Sequence, residues 1–425
     1  VRNLLSLLSV LVLLVWSPLH AAEREGSRLR IVSGLYYDNI SQGYYLSATD
    51  TLTLDEDSLL ALKRTSDEIN DLRLKTSADW TVWQSDAGQI ELGSVMFLSD
   101  DDLRSSIDAR FRRGALELIG GLEGRGIWDI ESSGSGYATW RLSSKLRPSI
   151  GSGFFLLAKD SYESVNFSGT DDFNYDYRYN RFYLGVEKEF GWADLLSLQY
   201  RNDRKHAPDS SRLDYTNHRA IIEFDWSPST TISTRIESDL IRRLSNKETG
   251  IDDGWEELLD ATLGLRFAQR WELEVRHELE YATYDTQDVV NNNHMSSVVE
   301  CELLHSPTEE IEVSGTLSTQ QYRTKLVEFV DQDYEQYSIR YGLDISSGEW
   351  LWFDISHTVG HRNYIASVGG FYTDYTMNRL DIFGDLKLYH GLSLNSMISI
   401  DWENHEKQEN DNRLSLISIG LDYAF

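Results

Sequence analysis

The chain contains one cysteine, Cys301, in 425 residues. A lone cysteine excludes an intramolecular disulfide, a thiolate metal cluster and a Cys-x-x-Cys-His haem attachment within this chain. Proline is almost as scarce: beyond Pro18 there are only Pro148, Pro208, Pro228 and Pro307, each among polar or turn-forming residues. No Pro-rich or Gly/Ser-rich linker divides the sequence into domains. Long hydrophobic runs are missing beyond residue 22, and mean hydropathy is −0.42, which excludes a bundle of transmembrane helices. Positive charge is in the minority, with 40 Lys and Arg against 69 Asp and Glu for a formal net charge of −29. Such a balance repels nucleic acid, which is not expected as a partner.

What the chain has instead is alternation. Trp271, Leu273, Val275, His277, Leu279 and Tyr281 fall on one side of an extended segment, and Glu272, Glu274, Arg276, Glu278 and Glu280 on the other. The same two-residue period runs through 351–359, 380–388 and 392–402, as expected of strands with one apolar and one polar face. Short turns at 147–149, 190–192, 227–229, 268–270, 306–308, 346–348 and 389–391 recur about every 40 residues, with longer polar segments midway between them. Short turns at one rim and long loops at the other are how transmembrane barrels are built. Phe190, Trp192, Trp226, Phe267, Trp271, Trp350 and Tyr389 cluster within about three residues of the short turns, the depth at which amphipathic rings meet a lipid headgroup layer. Proline stays out of every proposed strand, where it would remove a ladder hydrogen bond.

The expected fold is therefore all-β: a transmembrane, antiparallel, up-and-down barrel. Fifteen strands are expected from residue 137 onward, and seven more at 28–38, 43–54, 57–66, 70–84, 89–98, 104–112 and 115–128. That gives about 22, with 18 and 20 also open, since a single-chain bacterial barrel has an even number. A small periplasmic domain or plug is the alternative for residues 23–100.

The two ends agree with this class. Arg2, the apolar stretch 4–16 and Ser17-Pro18-Leu19-His20-Ala21-Ala22 form the charged, apolar and small-residue regions of an export signal peptide over 1–22. About 13 apolar residues are too few to span a bilayer as a helix. The barrel then occupies 23–425. At the other end, Ser418-Ile419-Gly420-Leu421-Asp422-Tyr423-Ala424-Phe425 alternates and stops on an aromatic residue. This segment resembles the C-terminal insertion signal of bacterial outer-membrane β-barrel (porin-like) proteins. The resemblance implies that Gly420, Tyr423 and Phe425 are read by the barrel-assembly machinery and that the chain sits in outer-membrane lipid.

If the apolar stripe faces lipid, the other stripe lines the lumen. Its expected acidic residues are Glu187, Glu189, Glu223, Asp225, Glu237, Asp239, Glu272, Glu274, Glu278, Glu280, Glu300, Glu302, Asp344, Asp381 and Asp385, with Glu312, Asp354, Asp401 and Asp422 extending the set. The expected basic residues are Arg235, Arg266, Arg276 and Arg340, joined by Arg201 and Lys387. Acids thus outnumber bases about threefold along the expected wall. Unpaired charges cannot be buried dry, so the lumen is hydrated or filled by a polar partner.

No catalysis and no cofactor are expected. His294-Met295-Ser296, and His357 and His361 near Asp354, are the arrangements nearest those of outer-membrane phospholipases and omptin-type proteases, without the rest of either motif. The aspartate runs at 100–102, 171–172 and 252–253 lack EF-hand spacing, so no metal site is expected. The composition points to a porin-like channel with an acidic, cation-preferring lumen for small solutes. Two alternatives are a barrel that sheathes a partner protein such as a multihaem cytochrome, and a polysaccharide or protein export pore.

Overall fold

The computed structural model describes residues 28–46, 63–85, 88–98, 102–127, 137–167, 175–191, 194–208, 213–245, 253–286, 292–325, 332–348, 350–365, 373–388, 391–406 and 410–424. The leader 1–22, Asp100, Asp101, Asp171, Asp172, Asp252, Trp192, Tyr389 and Phe425 lie outside them.

The strands run β1 (Arg28–Leu46), β2 (Lys63–Ser85), β3 (Gly88–Leu98), β4 (Asp102–Arg113), β5 (Leu116–Ile127), β6 (Tyr137–Leu146), β7 (Ser149–Gly151) and β8 (Phe154–Phe167). They continue as β9 (Tyr177–Glu189), β10 (Leu195–His206), β11 (Tyr215–Ser229), β12 (Ile232–Ser245), β13 (Gly254–Phe267), β14 (Trp271–Tyr284) and β15 (His294–His305). The last six are β16 (Ile311–Thr324), β17 (Tyr334–Ser347), β18 (Leu351–Tyr364), β19 (Tyr375–Lys387), β20 (Leu392–His405) and β21 (Asn412–Ala424). Each pairs antiparallel with the next, except that the three-residue β7 merely continues β6 past Arg147-Pro148 and pairs with β8. β1 then pairs with β21 from Val32↔Ala424 to Tyr44↔Asn412, which closes the ring. Twenty of the 21 segments form it.

Twenty is two fewer than the 22 favoured by the sequence. The difference lies in β1 and β2, which are 19 and 23 residues long. The polar stretches 39–42 and 66–70, which break the alternation as a turn would, are extended and paired with each other, Asn39↔Asn70 to Gln42↔Asp67. A polar strand that projects beyond lipid needs no apolar face, so its alternation disappears while its ladder continues. No separate domain divides the described part of residues 23–100, where β1, β2 and β3 are staves of the ring.

Curvature separates the two faces. Leu157, Val165, Ile221, Ile241, Glu187, Ser197, Gln199, Asp203, Ser356 and Asp381 are all buried, and the register places every one of them on the same, concave face. Leu184, Leu198, Ile222, Leu263, Leu303, Leu317, Ile339, Leu421 and Tyr423 are well exposed and occupy the convex face. An apolar convex face requires lipid. Cys301 is on this face between Val275 and Leu317.

The seam depends on Gly420. A Cβ there would sit 2.5 Å from the ring of Tyr36, which lies across the glycine from the neighbouring strand as an aromatic covering a bare backbone. The Tyr36 hydroxyl reaches on to donate to Asp422 at 2.5 Å, and Asn395 donates to the other oxygen of the same carboxylate at 2.6 Å. Thus β20, β21 and β1 are joined by side chains as well as by the ladder.

Candidate functional site

The concave wall is the candidate site. Register propagates one face around the ring, because directly paired residues share a side. By that rule all the carboxylates expected inside, and Arg235, Arg266, Arg276 and Arg340 with them, sit on the concave face. They do not form one cluster. They are spread over β9 to β21, and two sectors differ in how their charges are met.

In the first sector, β4 to β12, many carboxylates are matched by cations. Arg112 donates to Glu117 at 2.7 Å. Arg141 holds Glu163 at 2.8 Å and Glu123 at 3.3 Å. Arg147, in the short turn, binds Glu187 and Glu189 at 2.5 Å each, and these contacts raise its guanidinium further above its ordinary range. The densest contact is around Asp203, which is fully buried. Arg201 donates to it at 2.7 Å and Arg181 at 3.3 Å. Arg219 stands 3.4 Å away as an ion pair without hydrogen-bond geometry, and bonds Asp239 at 2.9 Å. A buried carboxylate survives only when paired, and here three guanidiniums share one. Beside this group a cleft of about 530 Å3 is lined in part by Arg141, Glu163, Tyr179 and Arg181.

The threefold excess of acids expected along the wall is therefore overturned. Arg104, Arg110, Arg112, Arg141, Lys145, Lys159, Arg181, Lys205, Arg219, Arg243, Arg362 and Arg379 also occupy the concave face by register. Most lie where strands mix tyrosines with charges, as in Tyr177-x-Tyr179-x-Arg181-x-Tyr183, so that hydrophobicity does not distinguish the faces. Counting by twos from each short turn would have found them.

In the second sector, β13 to β18, carboxylates oppose carboxylates. Glu274 is directly across from Glu302. Glu312 faces Asp344, which faces Asp354 on its other side. Among the described residues none of these five has a Lys or Arg within ion-pair distance. Their contacts are neutral donors: Thr316 to Glu302 at 3.2 Å, Trp352 Nε1 to Asp344 at 2.7 Å and Ser306 to Glu312 at 3.3 Å. A third row, Glu223–Glu237–Asp260–Glu278, is partly relieved by Arg276, which is 2.6 Å from both Asp260 and Glu278. Like charges placed directly opposite destabilise a sheet. Rows of them on a folded wall call for screening from the side they face.

The histidines stay apart from any such arrangement. His294 and Ser296 both face inward, but His294 is 3.3 Å from Glu280 and stacks on Tyr322. His357 and His361 lie on the convex face and Asp354 on the concave face, so the sheet separates them.

No family model matches the chain, and neither does any curated protein. Among solved structures, the siderophore receptor PirA from Pseudomonas aeruginosa aligns with 95% of this chain and 81% of its own, at 12% identity and a TM-score of 0.58. The alcaligin outer membrane receptor FauA from Bordetella pertussis aligns with 92% of this chain and 76% of its own, at 10% identity and a TM-score of 0.55. OprD from Pseudomonas aeruginosa spans 95% of this chain and 97% of its own, at 10% identity and a TM-score of 0.48. At these identities the likeness is one of fold: the chain is a bacterial outer-membrane-type β-barrel.

Proposed function

We propose that this barrel is a porin-like channel of the outer membrane that passes small solutes passively and prefers cations. One observation carries the reading: the cross-strand carboxylate rows Glu274/Glu302 and Glu312/Asp344/Asp354, left without basic partners on an inner wall. Water and permeant cations in the lumen relieve their repulsion, and a low-dielectric wall focuses their field along the path. Arg112, Arg141, Arg147, Arg201 and Arg219 are compensated locally, so their field falls off within a few ångströms, whereas the acidic rows add. Selectivity then arises from one side of the wall rather than from net charge alone. Within the same reading, residues 1–22 are a cleaved export signal, and Gly420, Tyr423 and Phe425 belong to the strand handed to the assembly machinery.

The test is the reversal potential of single channels in a planar bilayer under a KCl gradient. A potential displaced toward that of K+ supports the reading, and one displaced toward that of Cl− overturns it. Absence of conductance from correctly folded protein also overturns the channel and leaves a barrel that sheathes another protein.

A further inference from the structure

The convex face carries its own anomaly. Over most of the ring it is apolar from the short-turn rim upward, but at the far end of β9 to β12 it presents Arg178, Arg204, His206, His218 and Arg242. His206 pairs directly with Arg178, and His218 directly with Arg242. Arg204 is diagonal to Arg178 and to His218, a spacing of about 7–8 Å. Below them are Phe182, Leu184, Leu198, Tyr200 and Ile222, and a groove of about 870 Å3 is lined by Phe182, Tyr200 and Leu244 together with Arg204, His206, His218 and one carboxylate, Asp214.

Depth decides what such a patch meets. Arg204 is nine residues above Leu195, the short-turn end of β10, and Arg242 ten above Ile232 on β12. At about 3.3 Å per residue and a tilt of about 40°, they stand roughly 23–25 Å up the wall, at the far edge of a ~25 Å apolar band. That is the headgroup level of the outer leaflet. Three of these side chains are already partnered: His206 contacts Asp214 at 2.8 Å, His218 shares a hydrogen bond with Tyr200 at 2.7 Å, and Arg242 binds Asp285 in a bidentate pair at 3.0 and 2.7 Å. The pair holds the Asp285 carboxyl below its usual range. Arg178 and Arg204, both exposed, have no acidic partner among the described residues.

We infer that this patch binds the phosphate groups of an anionic glycolipid of the outer leaflet, with acyl chains against Phe182, Tyr200 and Leu244. It rests on the barrel's residence in an outer membrane, not on conduction. Guanidinium forks suit phosphate geometry, and a cation at headgroup depth beside an apolar groove selects a lipid over a soluble anion.

Native mass spectrometry of the detergent-solubilised protein with diphosphorylated lipid A is the test, with dephosphorylated lipid A and inorganic phosphate as the other arms. The wild-type protein should retain the diphosphorylated lipid. Arg178→Ser/Arg204→Ser should lower its occupancy about tenfold and Arg204→Ser alone about threefold. Arg243→Ser, adjacent in sequence but on the concave face, should leave it unchanged. Equal retention by the double variant, equal binding of the dephosphorylated lipid, or displacement by millimolar inorganic phosphate would each overturn the inference. A heat-modifiable gel band establishes that each variant is folded. A wild-type barrel that retains the lipid but does not conduct would sink the channel alone.

Discussion

Arg141, Arg181, Arg201 and Arg219 on β6 to β11 each lie beside a carboxylate, whereas Glu274, Glu302, Glu312, Asp344 and Asp354 on β14 to β18 lie beside one another. Both sectors are built on the same ladder and bear charges at the same alternate positions. The first satisfies a buried acid internally and holds it rigidly, as the hub at Asp203 does. The second leaves its acids to the contents of the lumen. Ionisable residues thus serve two ends on one wall, and under the proposed channel reading it is the second kind that would act on a permeant ion.

The sharpest way to break this contrast is to neutralise the second sector. Glu274→Gln, Glu302→Gln, Glu312→Gln and Asp344→Asn together should lower the cation-to-anion permeability ratio by roughly two- to fivefold, read as the shift in reversal potential. If the ratio holds, the net charge of the whole barrel sets selectivity and the sectors are equivalent. Acidification attacks the same sector without mutation. Acid protonates carboxylates while guanidiniums keep their charge, so cation preference should fall and then pass over to anion preference. Reversal potentials from pH 7 to pH 3 check the direction.

The first sector should respond in stability. Asp203→Asn removes the charge that three arginines share and should cost about 3–5 kcal/mol, measured by urea unfolding of the barrel in lipid vesicles. An equal cost for Asp354→Asn would erase the distinction between the sectors. The smallest effect is also the most diagnostic: Glu274→Gln alone should stabilise the barrel by about 0.5 kcal/mol, since it relieves a like-charge pair. A destabilisation of that size would mean that Glu274 has a cationic partner in the folded wall.

Much of the fold was legible because lipid imposes a simple code. Alternation through 271–281, proline kept to turns and strand ends, and aromatics near the short turns were enough for an antiparallel barrel with the apolar stripe outside; Pro228, expected in a turn, falls instead in the irregular last residues of β11, where the register with β12 shifts. The favoured strand count came out two high where the code lapses: 39–42 and 66–70 look like turns while pairing with each other in the long β1 and β2. The acidic residues of the wall were legible from parity wherever their strand neighbours were apolar. The arginines of β9 and β11 were not, because Tyr177, Tyr179, Tyr183 and Tyr215 occupy the inner face beside them. Pairing across the wall was out of reach altogether: nothing in the chain announces that Glu274 meets Glu302, since register between strands is a property of the closed ring.

The seam has a consequence for biogenesis. Tyr36 and Asp422, which bond across it, are 386 residues apart. Until β21 emerges, β1 and the newest strand are both bare edges, and a bare edge recruits whatever backbone it meets. A contact this distant in sequence is also slow to form unaided. The closing partner of β1 is therefore the last strand to be made, so the yield of the protein in the cell should respond to whatever shields β1 until then rather than to the stability of the finished ring.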